Sequence, residues 1–97
     1  MTTTEALLSG KRADIVRIAH EWGARNVRVF GSAARGQDRP GSDIDLLVEL
    51  RPGHGLLDLV ELKLALSELL GRPVDVVTED GLYWLLRRRI LREARPL

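Results

Sequence analysis

The sequence predicts an α/β (α+β) fold in which helices flank a small mixed β-sheet. Three segments have the alternation or β-branched composition of strands, at residues 26–30, 42–50 and 73–78. The segments around them have apolar residues at helical spacing, and glycine or proline punctuates the joins. The 97 residues fit one domain, 1–97, and leave little room for a second.

Composition excludes several classes of protein. The 15 Lys and Arg residues nearly balance the 14 Asp and Glu residues, for a net charge of +1, so we do not expect direct nucleic-acid binding through bulk charge. With no cysteine and two histidines, any metal ion must be bound by carboxylates. No apolar run reaches membrane-spanning length and no signal peptide is recognisable, which predicts a soluble cytoplasmic protein.

The first half of the chain is predicted to begin with a helix. Thr2 and Glu5 have the spacing of a capping box, and apolar residues recur at helical spacing as far as Trp22. Gly10 predicts a break within this helix and Gly23 predicts its end. A strand, a turn into a short helix and a loop are then predicted, at residues 26–30, 31–36 and 37–42.

The second half continues the alternation. After the strand at residues 42–50, a loop of strong breakers leads to a leucine-rich helix at 56–70, which Gly71 is expected to cap. A short strand at 73–78 and a last helix from residue 80 to about residue 95 follow. We expect the last helix to turn four apolar side chains inward: Leu82, Leu85, Leu86 and Ile90.

Two aspartates on one strand are the first indication of chemistry. Asp43 and Asp45 are two residues apart, so both carboxylates project from one face with Cα atoms roughly 6.5 Å apart. This spacing lets them share one divalent ion or bridge two. Upstream, Gly31 and Ser32 follow a strand and open a helix, where free N–H groups suit a phosphate.

A third carboxylate completes the predicted site. If the strand of Asp75 pairs beside the strand of Asp43, the three acids converge, although Glu49 or Asp58 could approach instead. Three carboxylates beside a phosphate cradle predict a magnesium-dependent nucleotidyl-transfer site.

At these residues the chain resembles the nucleotidyltransferases of the DNA polymerase β superfamily, most closely the minimal nucleotidyltransferase (MNT) branch. The resemblance rests on Phe-Gly-Ser at 30–32, Ala-Arg-Gly at 34–36 and Ser-Asp-Ile-Asp-Leu at 42–46, with Asp75 in the place of the third family carboxylate. It extends from about residue 15 to residue 93.

The resemblance implies a role for each motif residue. Gly31 and Ser32 would hold the β and γ phosphates of ATP, and Asp43 and Asp45 would hold two Mg²⁺ ions. Asp75 would bind the catalytic ion and help deprotonate the acceptor hydroxyl.

The resemblance also implies a partner. MNT proteins are often encoded beside a HEPN-type toxin, and the implied activity is antitoxin action by transfer of AMP from ATP to a tyrosine of that toxin. The chain is too short to include the helical domain with which larger relatives hold the acceptor, so we expect the partner to supply it. Two alternatives stay open: an antitoxin that neutralises its toxin by contact alone, and an adenylyltransferase acting on a small molecule such as an aminoglycoside.

Other residues allow two interpretations each. Arg35 could contact the triphosphate or pair with a nearby acid. His54 is expected to face solvent rather than to act in catalysis, and Trp22 and Trp84 are expected to pack rather than to stack on bases. The arginines of the last helix form either a solvated face or a docking surface for an acidic partner or RNA, and the surplus leucines of residues 56–70 suggest an interface.

Overall fold

The computed structural model describes residues 3–39 and 41–97, and within them a four-stranded mixed sheet has helices on both faces. The helices are α1 (Thr3–Glu21), α2 (Gly31–Ala34), α3 (Leu56–Leu70) and α4 (Trp84–Glu93). The strands are β1 (Ala24–Phe30), β2 (Ile44–Leu50), β3 (Val74–Thr78) and β4 (Arg95–Pro96). The predicted fold class is therefore confirmed.

The order of the strands places the ends of β1, β2 and β3 side by side. The order is β3-β2-β1-β4, in which β1 runs antiparallel to β2 and β4, while β2 and β3 run parallel. Helix α3 connects the two parallel strands, as a parallel pair requires. Asp45 lies opposite both Phe30 of β1 and Asp75 of β3, so one row of the sheet crosses three strands at this point.

The main hydrophobic core lies between the sheet and the pair of helices α1 and α3. Helix α3 contributes a stripe at i, i+4 and i+8, and the sheet contributes the residues of β2 that alternate with the aspartates. The most deeply buried side chains here are Ile15, Ile44, Leu46, Val48, Leu62, Leu66 and Val74.

A smaller core lies on the opposite face, the one that carries the aspartates. Ile90 of α4 packs there against Phe30 and Leu47, and Val77, Leu82 and Ala94 border them. Helix α4 therefore covers the middle of this face.

Among the described residues, no helix is long and apolar enough to cross a membrane.

Several predicted boundaries need correction. Helix α1 continues through Gly10, whose surroundings are open, because Leu8 and Ile15 anchor the helix to the core on either side of it. β1 begins two residues earlier than predicted, at Ala24, whereas β2 and β3 begin later, at Ile44 and Val74. Thr2 of the predicted capping box and Pro40 of the predicted loop lie outside the described residues.

The last helix was predicted too long and too buried. A 3-10 turn at Glu79–Gly81 replaces its start, and α4 ends at Glu93 before the unpredicted strand β4. Ile90 and Leu82 face the core as predicted, but Leu85 and Leu86 are exposed, and the Trp84 side chain expected to pack is 73% exposed. Helical spacing shows which residues share a face, but it does not show whether anything covers that face.

Glycines end the helices as predicted. Gly71 and Gly23 adopt left-handed backbone conformations with φ of 67° and 80° after α3 and α1. His54, expected to face solvent, does so only in part: its ring lies against Gly23, where a Cβ atom would overlap it, and the side chain is 31% exposed. Trp22 packs against the main core as expected.

Candidate active site

The sharp turn between β1 and α2 holds Asp45 in place. Gly31 has a φ of 72°, and a Cβ atom there would overlap the Asp45 carboxylate at Oδ2. Only glycine satisfies both constraints, since other residues rarely adopt this conformation and would displace the carboxylate. The Phe-Gly-Ser motif and the Asp-Ile-Asp motif are thus in direct contact through the Gly31 backbone and the Asp45 side chain.

Negative charges crowd around Asp45. Partial burial raises the pKa of the Asp45 carboxyl, and the neighbouring charges of Asp75 and Asp43 raise that pKa further. Arg35 opposes the shift with its positive charge, and Glu93 adds to it. Carboxylates this close repel one another unless a cation lies among them.

Asp43 lies one residue before β2, in the loop and not in the strand as predicted. Its side chain is exposed. The peptide groups on both sides of it are nonetheless fixed, because Ser42 O accepts from the Arg72 guanidinium and Ile44 N donates to Pro73 O at 2.9 Å.

Asp75 is placed opposite Asp45 by the parallel register of β2 and β3. Its Oδ1 lies 3.6 Å from Lys63 Nζ, and both side chains are about half exposed. An ion pair in that position contributes little stability, because solvent screens it. Lys63 brings a positive charge of α3 to the site, which sequence reasoning missed because the contact depends on how α3 packs beside β3.

Arg35 pairs with an acid, one of its two predicted alternatives. Its Nη1 donates to Glu93 Oε2 at 2.8 Å and its Nε donates to Gln37 Oε1 at 3.1 Å. Glu93 ends α4, so this ion pair ties the last helix to the turn that contains Gly31.

The two competing carboxylates take no part in this site. Glu49, at the far end of β2, accepts from Asn26 Nδ2 at 3.2 Å and pairs with Arg25. Asp58 accepts from Gly55 N at 2.9 Å, and this backbone hydrogen bond is the main reason that its pKa is lowered. The structure therefore contradicts the expectation that either residue could replace Asp75.

The donor set suits a hard divalent cation that substrate completes. In residues 3–39 and 41–97, no group of three or more His, Asp or Glu side chains is arranged to hold a metal ion. Mg²⁺ in nucleotide sites is usually bound by one or two carboxylates together with phosphate oxygens and water. The oxygen chemistry of Asp43 and Asp45 and the charge repulsion at Asp45 fit this mode of binding.

The family model for the nucleotidyltransferase domain matches residues 14–97. The chain belongs to the nucleotidyltransferase domain family. It is 36% identical over 93 residues to the protein adenylyltransferase MntA of Thermococcus cleftensis, which covers 96% of this chain and 94% of that protein. It is 48% identical over 80 residues to a protein of Methanocaldococcus jannaschii that is named as a candidate protein adenylyltransferase, covering 82% of this chain and 86% of the relative.

Solved structures share the fold. A structure described as a candidate minimal nucleotidyltransferase superposes with a TM-score of 0.85 at 49% identity, covering 99% of this chain and 97% of that one. At 21% identity and a TM-score of 0.73, a toxin-antitoxin structure with AMP-PNP matches 87% of this chain and 69% of its own. A complex of tri-AMPylated Shewanella oneidensis HEPN toxin with an MNT antitoxin matches at 18% identity and a TM-score of 0.68, covering 91% and 69%. The expected resemblance to minimal nucleotidyltransferases is confirmed, and the protein is a nucleotidyltransferase.

Gly31→Ala should separate the contact with Asp45 from the general cost of a left-handed alanine. Gly36 is the matched control, since its φ is 69° and nothing lies within 4 Å of a Cβ atom there. Both substitutions should cost about 1–2 kcal/mol of stability. Gly31→Ala alone should also slow AMP transfer from labelled ATP, by about a hundredfold, because misplaced catalytic groups cost rates of that order. Equal rates in the two variants would contradict the assigned contact.

Asp45→Asn should stabilise the protein in EDTA at neutral pH. The folded-state pKa of Asp45 is raised above its ordinary 3.8, so the wild type loses stability as pH rises from 3.8 through the folded-state value. The variant lacks this loss, and its melting temperature should exceed that of the wild type by about 4–8 °C for each kcal/mol gained. Thermal melts between pH 4 and 7 test this, and a difference that does not grow with pH would refute it.

Proposed function

We propose that the protein is a Mg²⁺-dependent adenylyltransferase that transfers AMP from ATP to a tyrosine hydroxyl of a HEPN-type toxin and thereby acts as its antitoxin. The observation that carries this proposal is the contact of Gly31 with an Asp45 carboxylate crowded by two other acids. The protein adenylyltransferase relative, matched over 96% of the chain, supports the class of acceptor.

In this proposal Asp43 and Asp45 would hold two Mg²⁺ ions, and Asp75 would contribute to binding the catalytic one. Bound Mg²⁺ neutralises the triphosphate and lowers the pKa of the attacking hydroxyl. The chain's own task is to keep the carboxylates together against their repulsion, which the strand register and the Gly31 contact achieve.

The Gly31 turn and Arg35 bind the phosphates of ATP. Helix α2 has four residues, so its dipole is small, and the backbone N–H groups of Gly31 and Ser32 must provide the binding. Arg35 adds positive charge beside them while its Nη1 stays bonded to Glu93.

The transfer step needs one proton acceptor. The hydroxyl oxygen attacks the α phosphorus, the bond to the β-phosphate oxygen breaks, and pyrophosphate leaves with the electron pair of that bond. The hydroxyl proton passes to the Asp75 carboxylate. For this, Asp75 must give up its 3.6 Å contact with Lys63, so that its carboxylate is free to accept the proton.

Two exposed helices flank the site and form the proposed docking surface for the acceptor. Helix α3 reaches the site through Lys63 and Asp75, and α4 reaches it through Glu93 and Arg35. On α3, Leu56, Leu57, Val60 and Leu64 are exposed, and on α4 so are Trp84, Leu85, Leu86 and Leu91. Aromatic and leucine side chains exposed together are typical of protein interfaces.

The same exposed apolar area favours a second candidate function, neutralisation of the toxin by contact alone. A contact antitoxin needs this surface and does not need the carboxylates. Catalytic turnover therefore distinguishes the adenylyltransferase from the contact antitoxin.

A substoichiometric transfer experiment tests the proposed activity. The toxin is incubated with one-tenth of its amount of this protein, ATP and Mg²⁺, and its intact mass is measured. The toxin should gain mass in steps of AMP and lose activity, because a catalyst turns over. Asp43→Asn should abolish both effects, whereas Glu49→Gln, on β2 but outside the site, should keep transfer within about twofold. An unmodified toxin that Asp43→Asn neutralises one-to-one would establish the contact mechanism instead.

Charge reversal on α4 tests the docking surface. In residues 3–39 and 41–97, no carboxylate forms an ion pair with the α4 arginines Arg87, Arg88, Arg89 and Arg92. The double variant Arg88→Glu and Arg92→Glu should slow association with the toxin by about tenfold and weaken its salt dependence. Lys11→Glu with Arg25→Glu changes the net charge equally at exposed residues of α1 and β1, outside both helices. It also removes the exposed ion pair of Arg25 with Glu49, which solvent screening leaves weak. Equal effects of the two double variants in stopped-flow binding would exclude α4 as the docking surface.

A further inference from the structure

A largely buried ion pair joins Arg72 to Asp38, and Arg72 is hydrogen-bonded to the residue before Asp43. Arg72 Nη2 is 3.5 Å from Asp38 Oδ2, and these side chains are 12% and 4% exposed. Arg72 Nη1 also donates to Thr4 Oγ1 at 2.6 Å, and the Thr4 hydroxyl donates to Asp38. Removing two charges from water costs free energy, and their mutual attraction often does not offset that cost. A buried ion pair is therefore weak evidence for a role in stability alone, and we looked for a second role in the other contacts of Arg72.

The contacts of Arg72 converge on the residue before Asp43. Its Nη2 and Nε donate to Ser42 O at 2.7 and 3.2 Å, in a forked arrangement that only a guanidinium provides. The following residue, Pro73, accepts from Ile44 N at 2.9 Å. Two consecutive residues, Arg72 and Pro73, thus form hydrogen bonds with the residues on either side of Asp43.

We propose that Arg72 is a positioning residue for the nucleotidyl-transfer site and holds the Asp43 carboxylate where it binds the metal ion. The proposal rests on the function proposed above, since it assumes that Asp43 is a metal ligand. Asp43 needs such a residue because it lies in the loop before β2 and its side chain is exposed. Asp38 keeps the guanidinium oriented toward Ser42, and Thr4 anchors it to α1.

A positioning role of Arg72 can be told from a general stabilising role, because only the positioning role predicts weaker metal binding when Arg72 is replaced. Arg28 provides the matched control. It forms an ion pair with Glu79 at 3.1 Å, and its side chain is 14% exposed. That pair lies away from Asp43, beside Leu47 in the sheet register.

The experiment measures the affinity of the full chain for Mn²⁺ by electron paramagnetic resonance, together with a thermal melt of each variant. An ATP analogue that cannot transfer AMP is present at one fixed concentration, because phosphate oxygens complete the site. Arg72→Met should weaken Mn²⁺ binding by about tenfold or more, the range found when residues that orient metal ligands are removed. Arg28→Met should lower the melting temperature and leave Mn²⁺ affinity within about twofold of the wild type. Arg72→Lys keeps the charge beside Asp38 but loses the forked donation, so its affinity should fall between the two.

Each outcome decides the matter. Wild-type affinity in Arg72→Met and Arg72→Lys would overturn the positioning role, and equal losses in Arg72→Met and Arg28→Met would reduce it to stability. If Arg72→Met does not fold, Arg72→Lys alone decides, and wild-type affinity there overturns the proposal. A wild-type protein that binds no Mn²⁺ would instead overturn the proposed metal site, and this inference with it. Transfer restored to Arg72→Met by excess Mn²⁺, but not to Asp43→Asn, would support positioning over direct ligation.

Discussion

The parallel register between β2 and β3 places Asp45 opposite Asp75, and the proposed chemistry depends on this pairing. Like charges directly opposite each other on neighbouring strands destabilise a sheet. Asp43 adds a third charge, and the pKa of the Asp45 carboxyl is raised first by its burial and then by the charges of Asp75 and Asp43. Acids brought close at this cost fit the divalent cation and anionic substrate of the proposed function.

Hydrophobic packing on both sheet faces keeps that register. Leu46 and Val48 face α1 and α3, while Leu47 faces α4, so β2 is held between two cores. A slip of one residue would turn the Asp45 side chain into the main core and the Leu46 side chain out of it. Burying the carboxylate and exposing the leucine would both be unfavourable, so the register is fixed. The site lies where the cover of α4 ends, at the ion pair of Glu93 with Arg35.

The sequence identified the site through patterns that are local in the chain. Asp43 and Asp45 are two residues apart, and Gly31 follows a strand, so spacing alone indicated their chemistry. Asp75 required one further assumption, the pairing of two strands, which the structure supports. The metal-binding and phosphate-binding roles themselves stay predictions.

Features that depend on tertiary contact were not predictable. Arg72 and Ser42 are 30 residues apart, and nothing in either segment of the sequence indicates that they form a hydrogen bond. The exposure of Trp84 and Leu85 was missed for a related reason, because amphipathic spacing does not reveal whether a partner protein covers a face. β4 has two residues, too few for any periodicity.

The central claim is that Asp43 and Asp45 bind the metal ions that hold the nucleotide beside Gly31. A crystal structure with Mn²⁺ and an ATP analogue that cannot transfer AMP tests it most directly. The account predicts anomalous Mn²⁺ peaks at the carboxylates of Asp43 and Asp45, with phosphates at the backbone N–H groups of the Gly31 turn. A nucleotide bound elsewhere, or bound there with no metal ion at these carboxylates, would contradict it.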